Sequence, residues 1–377
     1  MARSERVELI RHIEQLEGAR LISYICSDRQ GASGQIAEDA VRPMYDHVRR
    51  IGKVDKLDLF LYSRGGAAEV PWKIICMLRE YCNDLGVLIP YRAQSAATLI
   101  ALGCDRIVMG SKAELGPIDP ALNRITQEGG TAVQEEVRVE DVMSYIAFIK
   151  DKAGLGDQAA IADNVRILAE KLTPQLLGSI YRTQLHIRLV ARKLLTCHAE
   201  RMDDQKVSLI IDSLAEKMYL HGHGVGRGEA EELGLPVVRP NPELENVMWQ
   251  FLEHYESTMD IRNPVDGDAI LGDADEGEVP LALAMIESSE SNWAFRGKLR
   301  LRHIRQTPQP LNVNLNLGVS LPPGINPSAI PQEIINQLLR QMQTSVQGIV
   351  IEQVRKQSPI LKTEGRFVGG CWQDVTA

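Results

Sequence analysis

The sequence predicts an α/β protein with a largely parallel sheet, followed by a smaller α+β domain. Three observations carry this. Short apolar runs rich in β-branched and aromatic residues recur at Arg20–Cys26 (RLISYIC), Leu57–Tyr62 (LDLFLY), Val87–Pro90 (VLIP) and Arg106–Met109 (RIVM). Helical stretches separate them, as in βαβ units, whose strands are buried on both faces and so lack a polar side. Beyond about residue 243 the composition changes and period-two strand patterns take over.

The elements follow in order. Residues 4–17 read as a short amphipathic helix, Arg20–Cys26 as the first strand and 34–51 as helix. The second strand, Leu57–Tyr62, ends at Ser63-Arg64-Gly65-Gly66, and a helix over 67–82 follows. The third strand begins at Val87; Tyr91-Arg92-Ala93-Gln94 then leads to Ser95 and the small, apolar run 96–103. Arg106–Met109 is the fourth strand. Parallel sheets bind ligands beyond the carboxyl ends of their strands, so the Gly65-Gly66 and Gln94-Ser95 loops are predicted to face one crevice. Residues 139–153, 158–171, 174–202 and 204–220 read as mainly helical, and a Gly/His loop over 221–228 precedes a short helix ending at Leu233-Gly234. Residues 245–258 read as helix, 262–278 as an Asp-, Gly- and Pro-rich linker, 296–303 and 311–317 as half-exposed strands, and 331–345 as an amphipathic helix. The predicted organisation is an N-terminal helix (1–18), a main domain (19–243), a helical linker (244–265) and a small α+β domain (266–377).

Apolar residues make up 44% of the 377, enough for a sizeable core. A formal charge of −8 argues against nucleic acid as the main partner. The basic stripe Arg296, Lys298, Arg300 and Arg302 is expected to be a solvated face paired with acids from Asp273–Glu278, Glu287 or Glu290. Six cysteines include no Cys-x-x-Cys pair and mostly sit in apolar runs, which points to buried free thiols. No stretch approaches the ~18 apolar residues of a membrane span, and the start has no apolar leader. Both features point to a reducing cytoplasm.

A serine nucleophile needs exposure, a base, and donors for the oxyanion. Ser95 follows a strand and opens a helix, so its hydroxyl lies near unpaired amide groups. The small Ala96 and Ala97 leave room for a substrate, and Gly65-Gly66 can turn N–H groups into the crevice without a Cβ in the way. Gly65 or Gly66 with Ala96 would make a two-donor oxyanion hole. The competing explanation is that Ser95 merely caps a helix and the glycines merely turn.

The stretch SRGGAAEVPWKI … IPYRAQSAATLIALGCDRIVMGSKAELGPIDP, with HGHGVGRGEAEELGLPV further on, resembles the serine dehydrogenase proteinase family. That family is related to signal peptide peptidase A and to the Clp protease proteolytic subunit. The resemblance covers about residues 19–240. It implies a Clp/crotonase-like spiral of βαβ units and a serine peptidase without a cofactor. Ser95 then matches the nucleophile, Gly65 and Gly66 the oxyanion glycines, and Ala96 the second donor. It also implies a homo-oligomer, and it admits an activator or ATPase partner.

The base departs from the relatives' pattern. Where Clp-type enzymes place histidine, this chain has Gly116-Pro117-Ile118-Asp119-Pro120, with no histidine between 48 and 185. Signal peptide peptidase A uses a lysine, but residues 113–149 contain none. Lys112, Asp119, His221 and His223 are the candidates, with His223 preferred because imidazole titrates near neutral pH. His221 and His223 with His198 are also a metal-ligand alternative, although no third ligand is spaced locally. The expected function is a serine endopeptidase acting through an acyl-enzyme on Ser95. The alternatives are a crotonase-like acyl-CoA enzyme and a catalytically inactive scaffold or assembly partner.

Overall fold

The structure, a computed structural model, describes residues 3–118, 121–128, 131–217, 223–306 and 331–376. Contacts divide the chain into two compact units. One comprises Met1–Pro264, Leu281–Gly297 and Gly369–Ala377, the other Val265–Pro280 and Lys298–Val368.

The first unit opens with α1 (Arg3–Glu17), β1 (Arg20–Cys26), the small hairpin β2 (Asp28–Arg29) and β3 (Ala32–Ser33), and α2 (Val41–Ile51). Then come β4 (Val54–Tyr62), α3 (Val70–Arg79), β5 (Cys82–Ile89), β6 (Arg92–Ala93), α4 (Ala96–Leu102), β7 (Arg106–Met109) and β8 (Glu114–Leu115). A second hairpin, β9 (Ala121–Glu128) and β10 (Thr131–Arg138), precedes the helices α5 (Val139–Ala147), α6 (Gln158–Lys171), α7 (Pro174–Thr196) and α8 (Asp204–Asp212). The series continues with β11 (Val225–Gly226), α9 (Arg227–Glu232), β12 (Val237–Val238) and α10 (Pro242–Thr258). After α11 (Gly267–Leu271), β13 (Glu276–Glu287) and β14 (Asn292–Arg305) precede α12 (Gln332–Gln357) and β15 (Ile360–Asp374).

The main sheet has the order β12-β7-β5-β4-β1-β13-β14-β15. β12, β7, β5, β4 and β1 are parallel, and β13 joins β1 antiparallel, with Ser23 opposite Glu287. Alternate residues of these strands supply two cores. Ile22, Tyr24, Leu59, Leu61, Val87 and Ile107 face α2, α3, α4, α7 and α8, whereas Leu21, Ile25, Phe60, Leu88 and Val108 face α1 and α10. The strands are therefore apolar on both sides, and this produces the runs visible in the sequence. α10 shows how one covering helix is specified. The Asn241 side chain caps it by accepting from Leu244 N at 2.8 Å, and Pro242 occupies the first turn. Leu244, Val247, Met248, Phe251, Leu252 and Tyr255 then form one buried face at helical spacing.

His47 on α2 is fully buried, with Nδ1 3.0 Å from both Ser288 Oγ and Ser291 Oγ and Nε2 3.1 Å from the Ile286 carbonyl. Burial pushes its pKa down to about 4, so the folded protein holds it neutral. The unfolded chain takes up a proton below its ordinary value of 6.5, and the folded chain does so only near 4. Stability from His47 is therefore complete above pH 6.5 and is lost as pH falls to 4, by about 3 kcal/mol in total. Asp58 acts in the opposite sense. Burial raises its pKa to about 7 despite the Arg106 guanidinium, so its contribution fades as pH rises from 3.8 to 7. The stability difference between wild type and His47→Gln isolates the histidine. That difference is expected to shift by about 3 kcal/mol in favour of the variant between pH 7 and 4 in urea titrations; a constant difference would refute the assignment.

In the second unit, Glu278 accepts from Lys298 Nζ at 2.9 Å and Arg300 at 2.8 Å, and Arg302 lies 3.6 Å from Glu276. These cations of the basic strand are thus paired by acids on β13, inside the range the sequence suggested. Residues 311–317 lie outside the described residues.

Candidate active site

Ser95 sits where the chain turns from β6 into α4. Its backbone has φ 53 and ψ −115, a region that a residue with a Cβ occupies only under strain. Its side chain makes no cap hydrogen bond, so helix capping does not explain the serine. The neighbouring backbone is clamped. Gln94 N donates to Ser63 O at 3.0 Å, Ala97 N to Gln94 O at 3.0 Å, and Thr98 Oγ1 to Ala93 O at 2.7 Å. Gly116 N donates back to Thr98 Oγ1 at 2.9 Å, which ties the segment after β8 to the same turn.

The glycine loop lies directly against it. A Cβ on Gly65 would stand 2.8 Å from Ser95 Cβ and 3.2 Å from Oγ, and Gly65 has φ 119, so this position requires glycine on both counts. Gly65 O accepts from Ile36 N at 2.8 Å, and Gly65 N donates to the buried Ser63 Oγ at 3.0 Å. Among the described residues the N–H groups of Gly66 and Ala96 have no hydrogen-bond partner. α4 spans only 7 residues, so these are two individual amides rather than the end of a long dipole.

A second, three-stranded sheet in the order β11-β8-β6 brings the remaining segments together. β6 and β8 are parallel, pairing Arg92 with Glu114 and Ala93 with Leu115. β11 is antiparallel, pairing Val225 with Leu115 and Gly226 with Glu114. The residues after Ala93, those after Leu115 and those before Val225 therefore leave the sheet at one end. Ser95, the Gly116–Ile118 segment and His223 are the residues so placed.

His223 is exposed, and its Nε2 lies 3.1 Å from both carboxylate oxygens of Glu229 on α9. No such carboxylate partner was evident from the sequence. Lys112 is exposed, with its ammonium 5.6 Å from the Tyr91 ring centroid. It lines a cavity of about 610 Å³ with Pro90, Pro242, Glu245, Met248 and Trp249, and Ser95 is not among the walls. The structure thus turns Lys112 towards α10 instead of the serine. Asp119 and His221 lie outside the described residues. His198 Nε2 is 2.7 Å from the Leu102 carbonyl.

Sequence reasoning also missed an ionic frame beneath the site. Asp28 accepts from Tyr62 OH at 2.8 Å, Arg64 Nε at 3.0 Å and Arg92 Nη1 at 3.0 Å. Burial raises its pKa, but these donors outweigh that and hold the carboxyl below its usual range. Cys26, close by on β1, is no rival nucleophile, because burial pushes its thiol up to about 11.

A family model described as ClpP-like SDH-type serine proteinase matches residues 2–270. Two uncharacterized proteins of Methanocaldococcus jannaschii are similar to this chain. One is 26% identical over 219 residues, covering 58% of this chain and 65% of its own length. The other is 24% identical over 267 residues, covering 68% and 78%. The chain thus spans just under two thirds of the first relative. Among solved structures, a probable enoyl-CoA hydratase/isomerase from Mycobacterium abscessus shares 18% identity over 59% of this chain and 65% of that one, with a TM-score of 0.28. A mutant of a membrane-bound stomatin-specific protease shares 22% identity over 38% and 69%, with a TM-score of 0.24. No helix among the described residues is long and apolar enough to cross a membrane.

Proposed function

The chain belongs to the ClpP-like SDH-type serine proteinases, and from that premise we propose that it is a serine endopeptidase whose nucleophile is Ser95. The observation that carries this reading is the strained, uncapped Ser95 facing Gly65, with the Gly66 and Ala96 amides of the same two loops unpaired among the described residues. Ser95 Oγ attacks the peptide carbonyl, and the Gly66 and Ala96 N–H groups receive the oxyanion. The hydroxyl proton passes to a base and then to the leaving amine, and water releases the acyl group by the same route in reverse.

His223 is the base this geometry favours. It leaves the small sheet at the same end as Ser95, and Glu229 on one ring nitrogen would fix the tautomer that frees the other. Asp119 and His221, on the same two segments, are the other contributors this reading admits. The substrate is an extended peptide or protein, no cofactor is needed, and a cytoplasmic homo-oligomer is the expected setting.

Fluorophosphonate labelling with peptide mapping tests the proposal. Modification at Ser95 is expected. Absence of label at Ser95 from pH 5 to 9, in every oligomeric state isolated, would overturn the peptidase reading in favour of an acyl-CoA enzyme or a scaffold.

A further inference from the structure

We infer that Glu114 is a positioning residue that couples the serine loop to the histidine loop, an inference that rests on the peptidase reading above. Glu114 lies on β8, the central strand of the small sheet, with Arg92 opposite on one side and Gly226 on the other. Its main-chain N–H donates to Tyr91 O at 2.6 Å, which fixes the strand against the start of the serine loop.

The two carboxylate oxygens face different loops. Oε1 accepts from Arg92 Nε at 3.0 Å and from Gln94 Nε2 at 3.1 Å. Gln94 immediately precedes Ser95, and its main chain is already held by Ser63 and Ala97, so this bond anchors its side chain as well. Oε2 faces the other loop: a Cβ on Gly224, the residue after His223, would lie 2.8 Å from it. The same frame continues away from β8, because Arg92 also donates to Asp28, which takes the guanidinium of Arg64 beside Gly65. One line of charges, Asp28–Arg92–Glu114, thus underlies the glycine loop, the serine loop and the segment carrying His223.

The physical need for such a tie follows from Ser95. A backbone at φ 53 persists only while its surroundings over-determine it. A nucleophile and its base on separate loops must also be held to a fraction of an ångström, since a displacement of about 1 Å costs on the order of 10²-fold in rate. Glu114 touches no reacting atom in this scheme; it acts through Gln94 and through the close-packed backbone at Gly224.

The test uses the full chain with Glu114→Ala, Glu114→Gln and Glu114→Met. With a fluorophosphonate probe, Glu114→Ala is expected to lower the maximal inactivation rate at Ser95 roughly 10- to 100-fold. The probe's apparent binding constant and the thermal midpoint should change little. Glu114→Gln keeps an oxygen to accept from Gln94 and should recover most of the rate, whereas Glu114→Met fills similar space without that acceptor and should not. Amide exchange supplies a readout independent of chemistry. Peptides covering 91–99 and 223–230 should both exchange faster in Glu114→Ala. If wild type labels and Glu114→Ala labels at the same rate, or if exchange rises only over 91–99, the coupling role is wrong. If wild type takes no probe at all, the peptidase reading fails, and amide exchange alone still decides whether Glu114 links the two loops.

Discussion

Ser95→Ala and Ser95→Gly are both expected to abolish probe labelling and to lower peptidase turnover by roughly 10⁴-fold or more, the scale on which loss of a serine nucleophile acts. The two variants should part company in stability. At φ 53 and ψ −115 the Cβ of alanine keeps the strain that serine bears, whereas glycine relieves it. Against this, glycine makes the unfolded chain more flexible, which takes back part of the gain. The net expectation is that Ser95→Gly is the more stable by about 1 kcal/mol, visible as a higher thermal midpoint. Turnover retained in Ser95→Ala would remove Ser95 from the mechanism. A glycine variant melting below the alanine variant would show that the turn is not strained as its dihedrals imply. Together the pair separates the chemical role of the hydroxyl from the backbone shape that presents it.

The site's outline was legible because its determinants are local. β1 and β7 match the apolar runs Arg20–Cys26 and Arg106–Met109 residue for residue, since both faces of each strand are buried. Placing Gly65 and Ser95 at adjacent strand ends then followed from parallel topology alone. β4 and β5 begin earlier than the apolar runs suggested, at Val54 and Cys82, because their first residues include Asp55, Lys56, Asn83 and Asp84. Asp84, like Asp58 within the predicted run, is ion-paired with Arg106, a partner no periodicity reveals. The frame Asp28–Arg92–Glu114 was illegible for the same reason. It sits on strands of two residues, too short for a pattern, and its partners are 64 and 22 positions apart. The hairpin of β9 and β10 escaped because its polar sequence offers no apolar run to mark a strand. The linker predicted over 262–278 holds α11 and the first residues of β13. The final helix runs on to Gln357, past Gly348, where the expectation stopped at 345.

Glu287→Ala is expected to destabilise the protein by about 3–5 kcal/mol, the usual cost of removing one partner from a buried ion pair. The Glu287 side chain is fully buried at the end of β13, and Arg6 of α1 reaches it with Nε at 2.7 Å and Nη2 at 3.4 Å. Tyr255 of α10 donates its hydroxyl to the same carboxylate at 2.8 Å and lies 2.7 Å from Ser23 Oγ on β1. One carboxylate thus joins the two helices that cover this face of the sheet to two of its strands. Without it, the Arg6 guanidinium, 3% exposed, is left charged in an apolar layer, with Thr258 Oγ1 at 3.2 Å as its remaining side-chain acceptor among the described residues. Arg6→Met is expected to cost less than Glu287→Ala, because Arg3 Nε stays 3.4 Å from Glu287 Oε1 and Tyr255 still donates to Oε2. The double variant Arg6→Met/Glu287→Met should lose less than the sum of the single variants, since it removes both members of the buried pair and fills the space with apolar atoms, leaving the partly exposed Arg3 as the cation that loses its carboxylate. Urea unfolding of the wild type, the two single variants and the double variant measures the coupling directly. A single-variant loss below about 1 kcal/mol would mean that water reaches the pair as it reaches a surface ion pair. A double-variant loss equal to the sum would mean that Arg6 and Glu287 stabilise the fold through separate contacts, and α1 would then owe its position to Ile10 and Ile13 in the apolar core.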